Sequence, residues 1–203
     1  MSGSSLTLLR FSVETVNHEF PTFDRADPPA GCWGVAIINA TKVPGSMTMY
    51  APDGSITYDS GTYQDYVSGI TIKVQGNSST FWLKRPFKIK LQKKADLLGR
   101  GDKRYADKDW LLIRDLGINT FEGFKVGELL GMEYVPAHEY VNVIFNGEYY
   151  GLYLLCEAVE RGKDCRINVD AETGFIAELD PYYWNEEGYI RSSFSEPMNW
   201  TLD

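Results

Sequence analysis

Tyr140-Val141-Asn142-Val143-Ile144-Phe145 is followed by Asn146-Gly147, and then, from Tyr149 to Cys156, by Tyr-Tyr-Gly-Leu-Tyr-Leu-Leu-Cys. Two runs of β-branched, aromatic and aliphatic residues thus flank a dipeptide that accepts positive φ at both of its positions. That combination predicts a tight β-hairpin. Working outward, Gly69–Val74 and Phe87–Leu91 form another pair of β-rich runs around Gln75-Gly76-Asn77-Ser78-Ser79, with Pro86 just before the second. They predict a strand, turn, strand unit. The first third of the chain alternates β-rich runs (Leu8–Val16, Trp33–Ile38, Ser46–Tyr50 and Ser55–Tyr58) with turn clusters, Ala51-Pro52-Asp53-Gly54 being the strongest. Only Phe121–Leu130 changes period. Its apolar residues at 121, 124, 126, 129 and 130 fit helical spacing, and Gly131 is placed to end the helix. Gly123 and Gly127 weaken that helix by about 1 kcal/mol each relative to alanine and leave a small face for close packing. Gly174–Leu179 is a further short run, followed by an aromatic, acidic and polar tail, Asp180–Asp203, with little periodicity. The expected fold is α+β, an antiparallel β-rich body with one or two helices.

With 203 residues, 43% of them apolar and 24% charged, the chain can bury one sizeable core. No stretch has the length and apolarity of a membrane span, and Met1–Thr7 lacks the basic and apolar regions of a signal peptide. Cys32, Cys156 and Cys165 show no CxxC or Cys/His spacing for zinc. Cys156 and Cys165 could meet across a hairpin, though buried free thiols are the plainer reading. His18 and His138 suggest neither a metal site nor a nucleophile-histidine pair.

Charge is unevenly spread. Lys73, Lys84, Arg85, Lys88, Lys90, Lys93 and Lys94 lie between Thr71 and Ala95 with no acidic residue among them. These seven positive charges, in a chain of net −8, leave −15 to the rest. Positive potential confined to one strand, turn, strand unit suits a polyphosphate, and suits a nucleic-acid backbone poorly. Strand alternation turns Phe87, Ile89 and Leu91 to a core and projects Lys88 and Lys90 together from the other side. Two ammonium groups on one face repel, and a bound anion is one reason to place them there; a solvated lysine face is the plainer one. The small and polar residues Gly76, Asn77, Ser78 and Ser79 could offer backbone N–H groups to phosphates, although the turn has neither Walker A nor GxGxxG spacing.

In these blocks the sequence resembles the CotH (spore coat protein H) family of atypical protein kinases. The resemblance rests on Gln75–Ser79 with Lys84-Arg85-Pro86-Phe87-Lys88-Ile89-Lys90-Leu91, on Asp109-Trp110-Leu111-Leu112-Ile113, on Asn146–Glu157 and on Phe175–Trp184. It implies an ATP- and Mg²⁺-dependent kinase acting on Ser or Thr of a protein substrate, with a kinase-like, β-rich N-terminal lobe and a helical C-terminal lobe. By analogy the Gly76–Ser79 turn covers phosphates and Lys88 or Lys90 orients them. Glu128, or else Glu122, pairs with that lysine, and Leu155 and Glu157 border the adenine. The chain departs from the family at Gln75, where arginine is usual, and at Phe121-Glu122-Gly123-Phe124, where the family has an Arg-Asn pair.

The resemblance also implies that the catalytic and metal-binding aspartates belong to a C-terminal lobe absent from this chain. Asp180 and Asn185 have the spacing of a kinase catalytic loop, but no His-Arg precedes them, and Asp180 reads as a turn residue. The expected organisation is a β-rich segment over 1–68, a nucleotide-binding lobe over 69–184, and a tail over 185–203 leading to the missing lobe. The expected function is the nucleotide-binding portion of a CotH-like kinase, inactive as this fragment, with an extracytoplasmic or cell-surface location implied by the family alone. The alternative is a non-catalytic surface or cell-envelope module that binds protein or glycan through an exposed Tyr182-Tyr183-Trp184 patch.

Overall fold

A computed structural model describes residues 8–162, 165–170, 172–192 and 198–202. The chain order is β1 (Leu9–Thr15), β2 (Asp24–Ala26), β3 (Ala36–Ile38), β4 (Val43–Tyr50), β5 (Ile56–Asp59), β6 (Ile70–Val74), β7 (Phe87–Ala95) and β8 (Asp107–Ile113). There follow the helix α1 (Asn119–Leu129) and then β9 (His138–Phe145), β10 (Glu148–Glu157), β11 (Ala177–Leu179), β12 (Ile190–Arg191) and β13 (Asn199–Leu202).

The main sheet runs β1-β9-β10-β8-β7-β6-β4 and returns to β1, so seven strands close a barrel, with β5 appended to β4. This corrects the expected α+β fold, an antiparallel β-rich kinase-like lobe with one or two helices: the described residues form a mostly β closed barrel. The closing strand β1 is parallel to β9 and antiparallel to β4, and α1 is the single α-helix among the described residues. Closure removes the two exposed strand edges that an open sheet must otherwise protect. It is tied at one corner by Asn146, whose N–H donates to Val13 O and whose Oδ1 accepts from Thr15 N. At the facing corner Gly45 lets β4 cross β1 closely, since a Cβ there would lie 2.5 Å from Glu14 O.

Alternation fills the barrel. Phe11 and Val13, Met47 and Met49, Ile70 and Ile72, Phe87 and Ile89, Trp110 and Leu112, and Val141 and Val143 all point inward and are buried. The β9–β10 hairpin forms as the sequence predicts, with φ of 50° at Asn146 and 82° at Gly147. The helix starts two residues earlier than its apolar period and packs on the outside of β9, where Phe121 and Phe124 meet His138 and Phe121 stacks on Tyr140. Asp115 caps it. Its carboxylate accepts from Thr120 N, Phe121 N and Tyr140 Oη. All three cysteines are free thiols, with Cys156 and Cys165 buried. No helix among the described residues is long and apolar enough to cross a membrane. Among the described residues of the tail, β12 and β13 pair with each other, and β13 also pairs with β11, in a small antiparallel sheet that the composition does not announce.

Candidate anion site on the barrel wall

Strand register decides what the lysines do. In the β6–β7 pair Lys73 lies opposite Lys88 and Thr71 opposite Lys90; in the β7–β8 pair Lys90 lies opposite Asp109. Phe87, Ile89 and Leu91 enter the core, so Lys88 and Lys90 emerge together on the barrel's outer wall. Both reach one carboxylate, Lys88 at 3.1 Å and Lys90 at 3.7 Å from Asp109, and Lys88 also lies 3.9 Å from Glu160. Lys42, Thr71, Lys73, Lys88, Lys90 and Asp109 line one cleft of about 120 Å³.

Four ammonium groups therefore crowd around a single carboxylate in that cleft. Among the described residues neither Lys42 nor Lys73 has an ion pair within 4 Å. Burial withdraws the Lys73 ammonium from water, and Lys88 and Lys42 repel it, so its pKa is held below the ordinary lysine value. The fold maintains a partly desolvated positive charge, with no ion pair of its own among the described residues, directly across from another lysine.

Lys73 also lines a second cavity of about 600 Å³, with Gln75, Gly76 and Asn77 on one side and Asp180, Tyr182 and Asn185 on another. The turn's φ of 83° at Gly76 suits glycine, and a Cβ there would collide with Ser79 Oγ. The N–H groups of Gly76 and Asn77 have no protein partner among the described residues. Two contacts that sequence reasoning missed pin the turn from the β2–β3 hairpin. Ile37 N donates to Asn77 Oδ1 at 2.9 Å, and Arg25 donates to Thr80 Oγ1 and O. Ser78 and Ser79 open a short 3₁₀ turn that buries Thr80.

The remaining expected site residues lie elsewhere. Glu128 is exposed on α1 and pairs with Lys125 at 2.9 Å, so Lys88 finds its counter-charge on β8 rather than on the helix. Glu122 is likewise exposed on α1. Leu155 is buried in the barrel core. Glu157 accepts from Ala137 N and lies 2.7 Å from Arg100 Nη1. Asp180 accepts from Tyr182 N in a turn, as its sequence context predicts. Tyr182, Tyr183 and Trp184 are half-buried against Trp33, Cys32 and Tyr189, a correction to the exposed aromatic patch.

The sequence model of a family described as CotH kinase protein matches residues 72–182, which take in the lysine strand, its Asp109 partner and the hairpin. The chain belongs to the CotH kinase family. Searches of the curated proteins and of the solved structures returned no match. For this CotH family member the match spans the lysine row except Lys42 and Thr71, together with the Gly76–Ser79 turn and both cavities' shared residue, Lys73.

Proposed function

We propose that Lys42, Lys73, Lys88 and Lys90, with the Gly76–Ser79 turn, hold the triphosphate of ATP in a CotH-type kinase that acts on Ser or Thr of a protein. The carrying observation is the like-charge pair Lys73 and Lys88 on adjacent strands, beside Lys42, with Asp109 and the more distant Glu160 facing four lysines. Directly opposed like charges destabilise a strand pair, and a phosphate bound between them converts that penalty into attraction. The free N–H groups of Gly76 and Asn77 add donors at the end of the same strand. ATP would supply the transferable phosphoryl group; the chain's own residues bind and orient it.

Magnesium fits less well. The one acidic cluster that could hold a metal among the described residues, Asp107, Asp109 and Glu160, already faces Lys94, Lys88, Lys90 and Arg166. A cation there would have to displace those ammonium groups. No step is therefore assigned to a metal. The adenine-border role of Leu155 and Glu157 is likewise not carried forward, because one side chain fills the core and the other is spent in a buried ion network.

The test is thermal unfolding with ATP and with inorganic tripolyphosphate. Both ligands raise the melting temperature of the intact chain, and Lys88→Ala with Lys90→Ala removes the shift, whatever that double change does to the unliganded baseline. An intact chain that ignores both ligands at millimolar concentration overturns the proposal.

A further inference from the structure

Thr80-Phe81-Trp82-Leu83-Lys84-Arg85 links the phosphate-type turn to β7. It turns its apolar side chains outward, Trp82 being 60% and Leu83 94% exposed. Cations cover the other faces of its rings. The Arg25 guanidinium lies 4.0 Å from the centre of Phe81, and that of Arg114 lies 5.1 Å from Trp82. Lys84 sits 4.6 Å over Tyr153 and donates to Leu152 O, and Arg85 lies 5.0 Å from Phe23.

We propose that this loop, with Arg25, Arg85 and Arg114, is a docking surface for an acidic peptide segment that carries apolar side chains. Charge complementarity selects the occupant. Among the described residues, no carboxylate comes within 4 Å of the charged nitrogens of Arg25, Lys84, Arg85 or Arg114, in a chain whose net charge is −8. Asp115, the acid that does act on Lys84, has its carboxylate engaged by Thr120, Phe121 and Tyr140. Cationic side chains without a carboxylate partner, next to open aromatic faces, match carboxylates alternating with apolar side chains. A long polyanion such as a nucleic acid would meet the negative charge of the rest of the molecule.

The surface is also held ready. Tyr150 Oη donates to Leu83 O at 3.2 Å, Tyr153 Oη donates to Arg85 O at 2.8 Å, and Arg25 is hydrogen-bonded to Thr80. A peptide docking there pays little to order the loop. The surface does not depend on the lysine row, whose residues it does not share.

The experiment is fluorescence anisotropy with a short labelled peptide alternating glutamate with leucine and phenylalanine, against its glutamine counterpart and a single-stranded oligonucleotide of similar length. The glutamate peptide binds in a salt-sensitive manner. The glutamine peptide and the Arg114→Gln and Trp82→Ala variants lose about tenfold or more in affinity. Leu83→Ser gives the same direction without risk to the fold, because that side chain is almost wholly exposed. Equal binding of the two peptides, no binding of either, unchanged affinity in Leu83→Ser and Arg114→Gln, or tighter binding of the oligonucleotide overturns the proposal.

Discussion

Lys88 and Arg166 share Glu160, at 3.9 Å and 3.1 Å, yet they belong to opposite kinds of charge cluster. Arg166 has a fully buried side chain. It donates to Glu160, Cys165 O and Asp109 O, and lies 3.6 Å from Glu157, which also faces Arg100; Arg100 in turn holds Asp96 at 3.0 Å. In that network two guanidinium groups meet three carboxylates and several carbonyls. On the barrel wall four lysines line a cleft open to solvent in which Asp109 is the one carboxylate, with Glu160 reached only by Lys88 at 3.9 Å. A cluster in which every charge has an opposite partner within the fold fixes structure; one with surplus positive charge on an open wall leaves attraction for a ligand.

The largest effect should come from breaking the cluster around Arg166. Arg166→Met keeps much of the volume but takes from Glu157 and Glu160 one of the two cations that face each of them. It should cost about 3–5 kcal/mol in urea unfolding, and adding Glu157→Gln should recover part of it. If the single variant loses nothing, the network is not what anchors Cys165–Ile167 to β8 and β10.

Changing the open cluster should split stability from binding. Asp109→Asn removes the shared counter-charge of Lys88 and Lys90 and should lower stability by about 1–3 kcal/mol, since both lysines lose their nearest acceptor. The same variant should bind tripolyphosphate more tightly, by about tenfold in isothermal titration, because the anion no longer competes with a resident carboxylate. Weaker binding instead would show that Asp109 aims the lysines rather than neutralising them.

Much of this contrast was legible in the sequence, but only where the signal is local. Alternation in Phe87–Leu91 placed Lys88 and Lys90 on one face, and Asn146-Gly147 placed the hairpin, since both rules act over a few residues. Barrel closure was not legible. The parallel pairing of β1 with β9 joins Phe11 to Val143 with no turn between them to announce it. Nor was the counter-charge: Asp109 lies opposite Lys90 only through the β7–β8 register, and Lys42 joins the row through β4–β6 pairing. Arg166 gave no signal because the stretch around it has no period, and the partners that bury it are set by tertiary packing. The helix glutamate expected to pair with Lys88 follows a kinase-lobe analogy that a closed barrel does not obey.

The smallest effect discriminates most sharply. Lys73→Met removes one member of the like-charge pair and a partly desolvated ammonium, so it should stabilise the free protein by about 0.2–1 kcal/mol. The sign follows from its pKa. A lysine whose folded pKa lies below its unfolded value of 10.5 destabilises the fold wherever both states are protonated, and stops doing so once both are neutral. The advantage of Lys73→Met should therefore be full near neutral pH and shrink as pH rises through the lowered pKa towards 10.5. With tripolyphosphate present the order should invert, because the anion favours the charged lysine and the variant can no longer offer it. Equal stabilisation of both proteins by tripolyphosphate would mean that the crowded lysines are merely tolerated on the barrel wall, as the charges of the buried network are, and are not held there for a ligand.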